Sequence, residues 1–469
     1  MVKQLWFDTR YRTTCSDPDK EEGDIWLMLN IVETPAGEEG HVGISAMRPN
    51  VDSVLIESEK QLVKIRGGNT MRKRRKSWLW ILSVISVLAL AACKPPSGAN
   101  PASGGSGKGD NTVTIGYTGP LSGGAADYGK NVLSGIEMAV KEINKNGGVK
   151  VNGKEYKINL KALDDQYQPN KAAMNAQKFV QEYNTPIIFT SHSGGVLAMQ
   201  EFNESNKFII GAYTSEPQVT ARGNKLTIRI PPAYDGYMEP YSQYGMEKFG
   251  KHLGMAPTNS AYGKAWTKLF KKAWEENKGK IVALNEMDYN NDASFNTGVS
   301  KTLSAKPDFL FVGGPSEPTA LVIKEARQLG YKGGFAIMDQ AKLNEMAKVL
   351  GGYDMLNGSI GVIPLESSGK PATNHFIQNY KKAYHKIPNW EAAWNYMAMY
   401  VFADAMTEAG TIRDVEKIRG KVESAMKHLP KDQQIADLQG LDPNGGWISK
   451  LTIGKVENGK ITKVKLDDE

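Results

Sequence analysis

From residue 113 onward the chain alternates two hydrophobic patterns. Short apolar runs typical of buried strands alternate with stretches whose apolar residues recur every three or four positions, as on one face of a helix. The first run is 113–117, and the stretch after it places on one helical face the residues Val132, Ile136, Ala139, Val140 and Ile143. Gly147 and Gly148 then end the helix. A strand followed by a helix is therefore the first predicted unit.

The same patterns continue along the chain. They predict further strands at 156–162, 186–189, 208–211, 226–230, 281–284, 309–312, 335–338, 359–363, 447–453 and 460–464. They predict further helices at 169–180, 196–204, 237–249, 266–274, 294–304, 319–329, 343–350, 376–384, 391–409 and 415–426. Alternating strands and helices form parallel sheets through right-handed crossovers, and this number of pairs favours two α/β lobes over one sheet. Ligands of such sheets bind beyond the carboxyl ends of the strands.

A segment with a different pattern precedes this body. Five basic residues at 72–76 are followed by an uninterrupted apolar and small-residue run at 78–92, which ends in Leu90-Ala91-Ala92-Cys93. The run has about 15 residues, fewer than the roughly 20 of a spanning helix and suited to a signal peptide. Its end resembles the lipobox of bacterial lipoproteins, which implies that Cys93 is diacylated and tethers the mature protein to a membrane. A transmembrane helix that precedes a cysteine is the alternative.

Residues 1–70 stand before this signal and show no sustained helical or strand period. Met71 directly precedes the basic run, and residues 66–68 can be encoded by a purine-rich ribosome-binding sequence. We therefore expect Met71 to be the initiator and 1–70 to be untranslated upstream sequence. A genuine cytosolic extension is the alternative.

Composition narrows the class of protein further. Without residues 1–92, about 377 residues remain, enough for two domains. The net charge of +7 is spread along helices and indicates a solvated surface, not a nucleic-acid interface. Of the two cysteines, Cys15 and Cys93, only Cys93 would remain, so we expect no internal disulfide. Residues 93–111 are rich in Pro, Gly and Ser and predict a flexible tether with a reach of about 25 Å.

Five stretches of the body together resemble one family. In chain order they are 113–129 (VTIGYTGPLSGGAADYG), 142–148 (EINKNGG), 164–169 (Asp-Asp-x-x-x-Pro), 261–263 (Ala-Tyr-Gly), and 311–314 with the helix end 326–330. They resemble the leucine/isoleucine/valine-type substrate-binding proteins of ABC transporters, over 113–453. The resemblance implies a two-lobed periplasmic-binding-protein fold of type I, with parallel sheets flanked by helices and a three-segment hinge. It assigns 112–232 and 362–440 to lobe 1, and 233–361 and 441–469 to lobe 2.

The resemblance also implies a ligand site. Free N–H groups where a strand leads into a helix suit a carboxylate. Of the loop at 191–195, Ser193 matches the family's carboxylate-binding serine and Gly194 allows close approach of a ligand. An ordinary turn with a helix-capping serine is the alternative. The remaining implied site residues are the backbone partners Tyr213, Thr214 and Ser215, the cleft aromatics Tyr128 and Tyr262, and, for the ligand ammonium, Asp339 or Gln340.

If Gln340, rather than Asp339, occupies the ammonium position, a ligand with a neutral amide or with no amine becomes more plausible. The sequence also departs from the family pattern elsewhere. Tyr167 and His192 stand where Gram-negative members have a disulfide. The segment 252–256 is a poor strand, which predicts an abridged second lobe.

Motifs for catalysis are absent from the sequence. It has no Gly-x-Gly-x-x-Gly, His-Glu-x-x-His or Gly-x-Ser-x-Gly, and we expect no enzyme, cofactor or metal site. We expect an extracytoplasmic, lipid-anchored and monomeric protein whose function is to bind a branched-chain or other aliphatic amino acid. Its expected partners are an ABC permease and its ATPases, and not a nucleic acid. Alternatives are a ligand sensor, or an importer component for amides, urea or aromatic acids.

The lipidation prediction can be tested directly. Cys93→Ala removes the only thiol that a lipobox could acylate, so cells fed radioactive fatty acid should no longer label the protein, which should leave the membrane fraction. Ser97→Ala, in the tether that follows Cys93, is the matched control and should change neither. Unchanged labelling of Cys93→Ala would contradict the prediction.

Overall fold

A computed structural model describes residues 26–31, 42–47 and 111–464. The chain divides into two units, Met1–Gly105 and Ser106–Glu469. In the first, strands β1 (Trp26–Ile31) and β2 (Val42–Met47) pair antiparallel, which the sequence pattern did not predict. The predictions for the signal at 71–92, for Cys93 and for most of the tether fall outside the described residues. Within the described part of the chain, no helix is long and apolar enough to cross a membrane.

The first lobe of the second unit is built on a six-stranded sheet. Its strands are β3 (Thr112–Gly119), β4 (Val149–Val151), β5 (Lys154–Asp164), β6 (Ile187–Thr190), β7 (Ile209–Ala212) and β8 (Thr227–Arg229). The order across the sheet is β4-β5-β3-β6-β7-β8, and every pair is parallel except β4–β5. The carboxyl ends of β3, β5, β6 and β7 therefore lie along one edge.

The second lobe is built on a seven-stranded sheet. Its strands are β9 (His252–Pro257), β10 (Lys280–Leu284), β11 (Phe309–Gly313), β12 (Gly334–Ile337), β13 (Ser359–Val362), β16 (Ile453–Glu457) and β17 (Lys460–Lys463). The order is β10-β9-β11-β12-β13-β16-β17, parallel from β10 to β13 and antiparallel at β16 and β17.

The expectation that the second lobe is abridged at 252–256 was wrong. Strand β9 lies inside the sheet between β10 and β11, and it is buried after its first residue. A glycine in a strand weakens its sequence signal, but here Gly254 is required by packing. A Cβ atom at Gly254 would lie 2.8 Å from Leu310 Cδ2 and 2.9 Å from Pro307 Cβ.

Helices cover both faces of the two sheets. The first group comprises α1 (Ala126–Lys145), α2 (Pro169–Tyr183), α3 (Ser193–Gln200), α4 (Gln218–Ala221), α5 (Met238–Lys248) and α6 (Ala261–Glu276). The second comprises α7 (Asn296–Leu303), α8 (Ser316–Gln328), α9 (Leu343–Leu350), α10 (Pro371–Tyr384), α11 (Trp390–Ala409) and α12 (Val415–His428). Short 3₁₀ helices lie at Tyr234–Tyr237, Asp354–Leu356 and Leu365–Ser368.

Helix α11 forms the centre of the first lobe's core. It is apolar on almost every side, as expected of a helix surrounded by protein, and it packs against α1 and α12. Gly135 of α1 makes the close approach possible, because a Cβ atom there would lie 2.1 Å from the carbonyl oxygen of Ala392. Asn389 caps the helix by accepting a hydrogen bond from the Ala392 N–H at 3.2 Å. The start of α11 is thereby fixed beside the carboxyl edge of the sheets.

The chain passes between the lobes three times. The passages lie between β8 and β9, between β13 and α11, and between β15 (Trp447–Ser449) and β16. Strand β15 pairs with β14 (Leu438–Leu441), and Gly446 bridges Arg229 at the end of β8. These pairings connect β14 and β15 to the first lobe. The last passage between the lobes therefore lies after Ser449, later than the predicted boundary at 441. The other predicted lobe boundaries remain a proposal.

Candidate functional site

A cavity of about 660 Å³ lies where the carboxyl ends of the two sheets face each other. The first lobe contributes the loops that follow β5, β6 and β7, and the second contributes those that follow β9, β12 and β13. Of the nine predicted ligand-binding residues, eight line it: Tyr128, Ser193, Tyr213, Thr214, Ser215, Tyr262, Asp339 and Gln340. Gly194 does not, because it turns toward Pro169, whose Cγ would lie 2.7 Å from a Cβ atom at that position.

The first-lobe side of the cavity presents hydroxyl groups at the beginning of helix α3. The Ser193 and Thr214 hydroxyls are buried and hydrogen-bonded to each other at 2.8 Å. His192, and not Ser193, caps the helix, because its Nδ1 accepts a hydrogen bond from the Gly195 N–H at 3.0 Å. The capping-serine alternative was therefore wrong. Two hydroxyls and the positive end of α3 make this side suited to an anion.

Two tyrosines extend this wall. Tyr128 Oη donates a hydrogen bond to the Tyr213 carbonyl oxygen at 3.4 Å, and the two rings lie 5.9 Å apart. Burial raises the pKa of both phenols well above the usual value, so both stay protonated.

The second-lobe side presents a carboxylate. Asp339 Oδ1 accepts hydrogen bonds from the Tyr262 hydroxyl and, at 3.1 Å, from Trp266 Nε1. Tyr262 Oη in turn accepts the Gln340 N–H at 3.2 Å. Both donors are uncharged, and their bonds fix the orientation of Asp339. The arrangement is suited to a cation that enters from the cavity.

Gln340 has a different partner. Its Nε2 donates to the Tyr167 hydroxyl at 3.0 Å, which joins the second lobe to the first. The Tyr167 ring stacks on His192 with centroids 4.7 Å apart. The family resemblance matched Tyr167 and His192 to the disulfide positions of Gram-negative members, and here their side chains are in contact.

Buried Asp165 holds this aromatic pair in place. Its carboxylate accepts the Tyr167 N–H at 2.9 Å, the Thr118 hydroxyl at 3.0 Å and His192 Nε2 at 3.1 Å. Tyr167 has a φ of +62°, a strained conformation for a bulky side chain, and the bond from its N–H stabilises it. Because both ring nitrogens of His192 already have partners, the imidazole is not placed to act as a base toward Ser193.

A buried ion pair beside the cavity was missed by the sequence analysis. Lys342 of the second lobe lies 2.7 Å from Glu391 of α11, with side chains 5% and 0% exposed. Lys342 Nζ also donates to the Gln340 carbonyl oxygen at 3.1 Å. Burial raises the pKa of Glu391 to about 7, although Lys342 opposes the shift. No sequence signal connects two charges so far apart along the chain.

Further contacts hold the lobes together at the cleft entrance. The Gly124 N–H donates to the Asn290 carbonyl oxygen and the Ala125 N–H to Asn290 Oδ1, each at 3.1 Å. Together with the Tyr167–Gln340 bond, they describe a closed arrangement. Among the described residues, no cluster of His, Cys, Asp and Glu is placed to hold a metal ion.

Comparisons with known proteins place this geometry in context. A family model described as periplasmic binding protein matches residues 112–460. The leucine-, isoleucine-, valine-, threonine- and alanine-binding protein of Pseudomonas aeruginosa is 25% identical over 311 residues, 66% of this chain and 81% of that protein. The Leu/Ile/Val-binding protein of Escherichia coli K12 is 22% identical over 335 residues, 70% and 89% of the two chains.

Solved structures confirm the predicted fold. The leucine-binding protein LivK of Thermotoga maritima superposes with a TM-score of 0.64 at 24% identity, over 76% of this chain and 98% of that one. LivJ of Streptococcus pneumoniae in complex with isoleucine has a TM-score of 0.61 at 19% identity, over 75% and 100%.

The ion pair makes a testable prediction for stability. Lys342→Met leaves Glu391 buried and unpaired, so the free energy of unfolding should fall by about 3–5 kcal/mol at pH 8. The pKa of Glu391 is higher in the folded protein than in the unfolded chain. The cost of burying its unpaired charge therefore grows as the pH rises from the unfolded-state pKa through the folded-state pKa. The loss should therefore be smaller at pH 6, where the lone carboxyl takes up a proton. Urea denaturation at both pH values measures it.

The double variant Lys342→Met/Glu391→Leu should recover most of the loss, because no unpaired charge remains. Lys348→Met, at an exposed position of α9, is the matched control and should change stability by less than about 0.5 kcal/mol. If Lys342→Met lowered the free energy of unfolding equally at pH 6 and pH 8, Glu391 would not be the buried partner of Lys342.

Proposed function

The chain belongs to the periplasmic binding protein family, whose members bind substrates and are not enzymes, and on this premise we propose that it captures an α-amino acid for an ABC importer. The ligand would be held in the cavity between the lobes, and the closed protein would deliver it to a permease driven by ATPases. The relatives are named as binding proteins for leucine, isoleucine and valine, which supports a branched-chain or other aliphatic amino acid as the ligand.

One observation carries this proposal. The cavity offers anion-binding hydroxyls and a helix N-terminus on one wall, and a fixed carboxylate on the opposite wall. An α-amino acid carries a carboxylate and an ammonium on adjacent groups. Ser193, Thr214 and the start of α3 would bind the carboxylate, while Asp339 would bind the ammonium.

The structure also bears on the choice between Asp339 and Gln340. The Gln340 side chain is hydrogen-bonded to Tyr167 of the other lobe, whereas Asp339 is oriented by two uncharged donors of its own lobe. This favours Asp339 as the ammonium partner and reduces the support for a neutral amide ligand.

Closure would complete the site. A ligand would first dock on the first lobe through Ser193 and the loop at 213–215, and hinge motion would then bring Tyr262 and Asp339 onto it. The ligand favours closure only by the contacts that the second lobe adds. A lipid anchor at Cys93 would keep a monomeric protein at the outer face of the cell membrane, beside its permease.

Calorimetric titration tests the ligand assignment. Leucine, isoleucine or valine should bind, and Ser193→Ala should weaken binding about tenfold or more, because it removes a hydrogen bond to a charged group. Asp339→Asn should weaken leucine binding by at least about thirtyfold, but should leave the affinity for 4-methylpentanoate, which lacks the amine, nearly unchanged.

Glu182→Gln, an exposed surface change, is the matched control and should alter neither affinity. The absence of binding by any amino acid would refute the proposed ligand class. Equal losses for leucine and 4-methylpentanoate in Asp339→Asn would refute the role of Asp339.

A methyl group added at Gly124, at the entrance of the cleft, tests whether the two lobes close on the ligand. Gly124 has no positive φ, but a Cβ atom there would lie 2.6 Å from the Tyr289 carbonyl oxygen of the other lobe. Gly124→Ala should therefore leave the melting temperature within a few degrees, weaken ligand binding about tenfold or more, and prevent the ligand-induced decrease in the radius of gyration.

Small-angle scattering with and without ligand measures this change. Gly420→Ala is the control, because a Cβ atom at that helical position meets no atom within 4 Å. A normal ligand-induced compaction of Gly124→Ala would contradict the closure model.

A further inference from the structure

Asn290, which follows β10 in the second lobe, bonds to two loops of the first lobe at the cleft entrance. Its carbonyl oxygen accepts the Gly124 N–H and its Oδ1 accepts the Ala125 N–H, each at 3.1 Å. Its Nδ2 donates to the Gln166 carbonyl oxygen at 3.2 Å. These are three hydrogen bonds across the cleft from one residue, and all of them reach backbone groups.

The loop that carries Asn290 is ordered by bonds within its own lobe. Asp288 Oδ1 accepts the N–H groups of Asn290 at 3.0 Å and of Asn291 at 3.1 Å, which makes an Asx-turn. Tyr289 is buried, and its hydroxyl donates to the Ala256 carbonyl oxygen at 2.6 Å. The turn and the buried ring together hold the Asn290 side chain toward the first lobe.

The two first-lobe loops that receive Asn290 are joined by one carboxylate. Asp164, at the end of β5, accepts with Oδ1 the Leu121 N–H at 2.8 Å and the Gln166 N–H at 2.9 Å. Its Oδ2 accepts the Ser122 hydroxyl at 2.5 Å. Both loops are thereby aligned within the first lobe. Surfaces that are ordered in advance lose little conformational entropy when they meet.

Glycines allow the two lobes to approach closely at this point. A Cβ atom at Gly123 would lie 2.9 Å from Asn290 Oδ1, and one at Gly124 would lie 2.6 Å from the Tyr289 carbonyl oxygen. Gly123 also has a φ of +75°, which glycine adopts without strain. The receiving loop therefore fits the Asn290 loop in shape as well as in hydrogen bonding.

Asn290 lies close to the ligand site but does not line the cavity. Ala125 directly precedes α1, whose first turn carries Tyr128, and Gln166 directly precedes Tyr167. Both tyrosines line the cavity, and Asn290 does not. A contact made only when the lobes are together stabilises that arrangement by the same amount whichever ligand is inside.

We propose that Asn290 is a latch that holds the closed protein shut and sets how long a ligand stays bound. Opening must break its three bonds before the ligand can leave, whereas entry of a ligand into the open cleft does not involve them. Asn290 is therefore a positioning residue that acts on the dissociation rate constant, while the choice between ligands is left to groups in the cavity. This inference rests on the proposed function, because it takes capture of an amino acid between the lobes as given.

Stopped-flow fluorescence with L-leucine and L-valine separates the two rate constants. Asn290→Ala removes two of the three bonds and leaves the buried Ala125 N–H without its partner. The dissociation rate constant should therefore rise about tenfold for both ligands. The association rate constant and the ratio of leucine to valine affinity should each stay within twofold. The melting temperature without ligand should stay within a few degrees.

Three further variants locate the effect. Asn291→Ala is the matched control and should change neither rate constant more than twofold, because that side chain donates to Asp288 of its own loop. Asn290→Asp keeps an acceptor for the Ala125 N–H but has no donor for Gln166, so its dissociation rate constant should lie between those of wild type and Asn290→Ala. Added to Gly124→Ala, in which closure is already blocked, Asn290→Ala should change affinity less than twofold.

Several outcomes would overturn the latch and leave the proposed function intact. One is a dissociation rate constant of Asn290→Ala within twofold of wild type. Another is a loss of affinity that falls on the association rate constant. A third is a loss that differs more than twofold between leucine and valine, which would place Asn290 among the groups that select the ligand. If the wild-type protein binds no amino acid, the proposed function itself is overturned.

Discussion

The ion pair between Lys342 and Glu391 is the constraint on which the cleft depends. Two opposite charges taken out of water are tolerated only when they lie close together, and here each comes from a different lobe. Lys342 also binds the Gln340 carbonyl oxygen, so the pair fixes the loop that carries Asp339. The position of the second lobe's carboxylate therefore depends on a contact with the first lobe's central helix.

A second buried carboxylate orders the other wall. Asp165 accepts hydrogen bonds from Thr118, Tyr167 and His192, which belong to three segments of the first lobe. His192 then caps α3 and leaves the Ser193 hydroxyl to Thr214. This wall is thus ordered by contacts within the first lobe, which agrees with the proposed docking of a ligand on that lobe. The Tyr167–Gln340 bond connects this wall to the other lobe.

Much of the fold could be predicted because hydrophobic periodicity is a local property. Strands and helices of the body appear where the apolar patterns predicted them, and eight of the nine ligand-binding residues that the resemblance implied line one cavity. Strand β9 was missed because Gly254 weakens its pattern, and the reason for that glycine is its contact with Leu310 and Pro307. Gly194 was assigned to the ligand, although its small size serves the contact with Pro169.

The hydrophobic pattern of the sequence determined the α/β class and favoured two lobes, because strands and helices depend on residues close together in the chain. The family resemblance indicated the loops that line the cavity. Only the tertiary structure decided that Lys342 meets Glu391, that Gln340 turns to Tyr167, and that Trp390 and Trp394 line the cavity. In a sequence a charged residue usually indicates a solvated surface, and a buried tryptophan indicates core. The residues that these side chains contact are far away along the chain, and the burial of the side chains depends on how the two lobes meet.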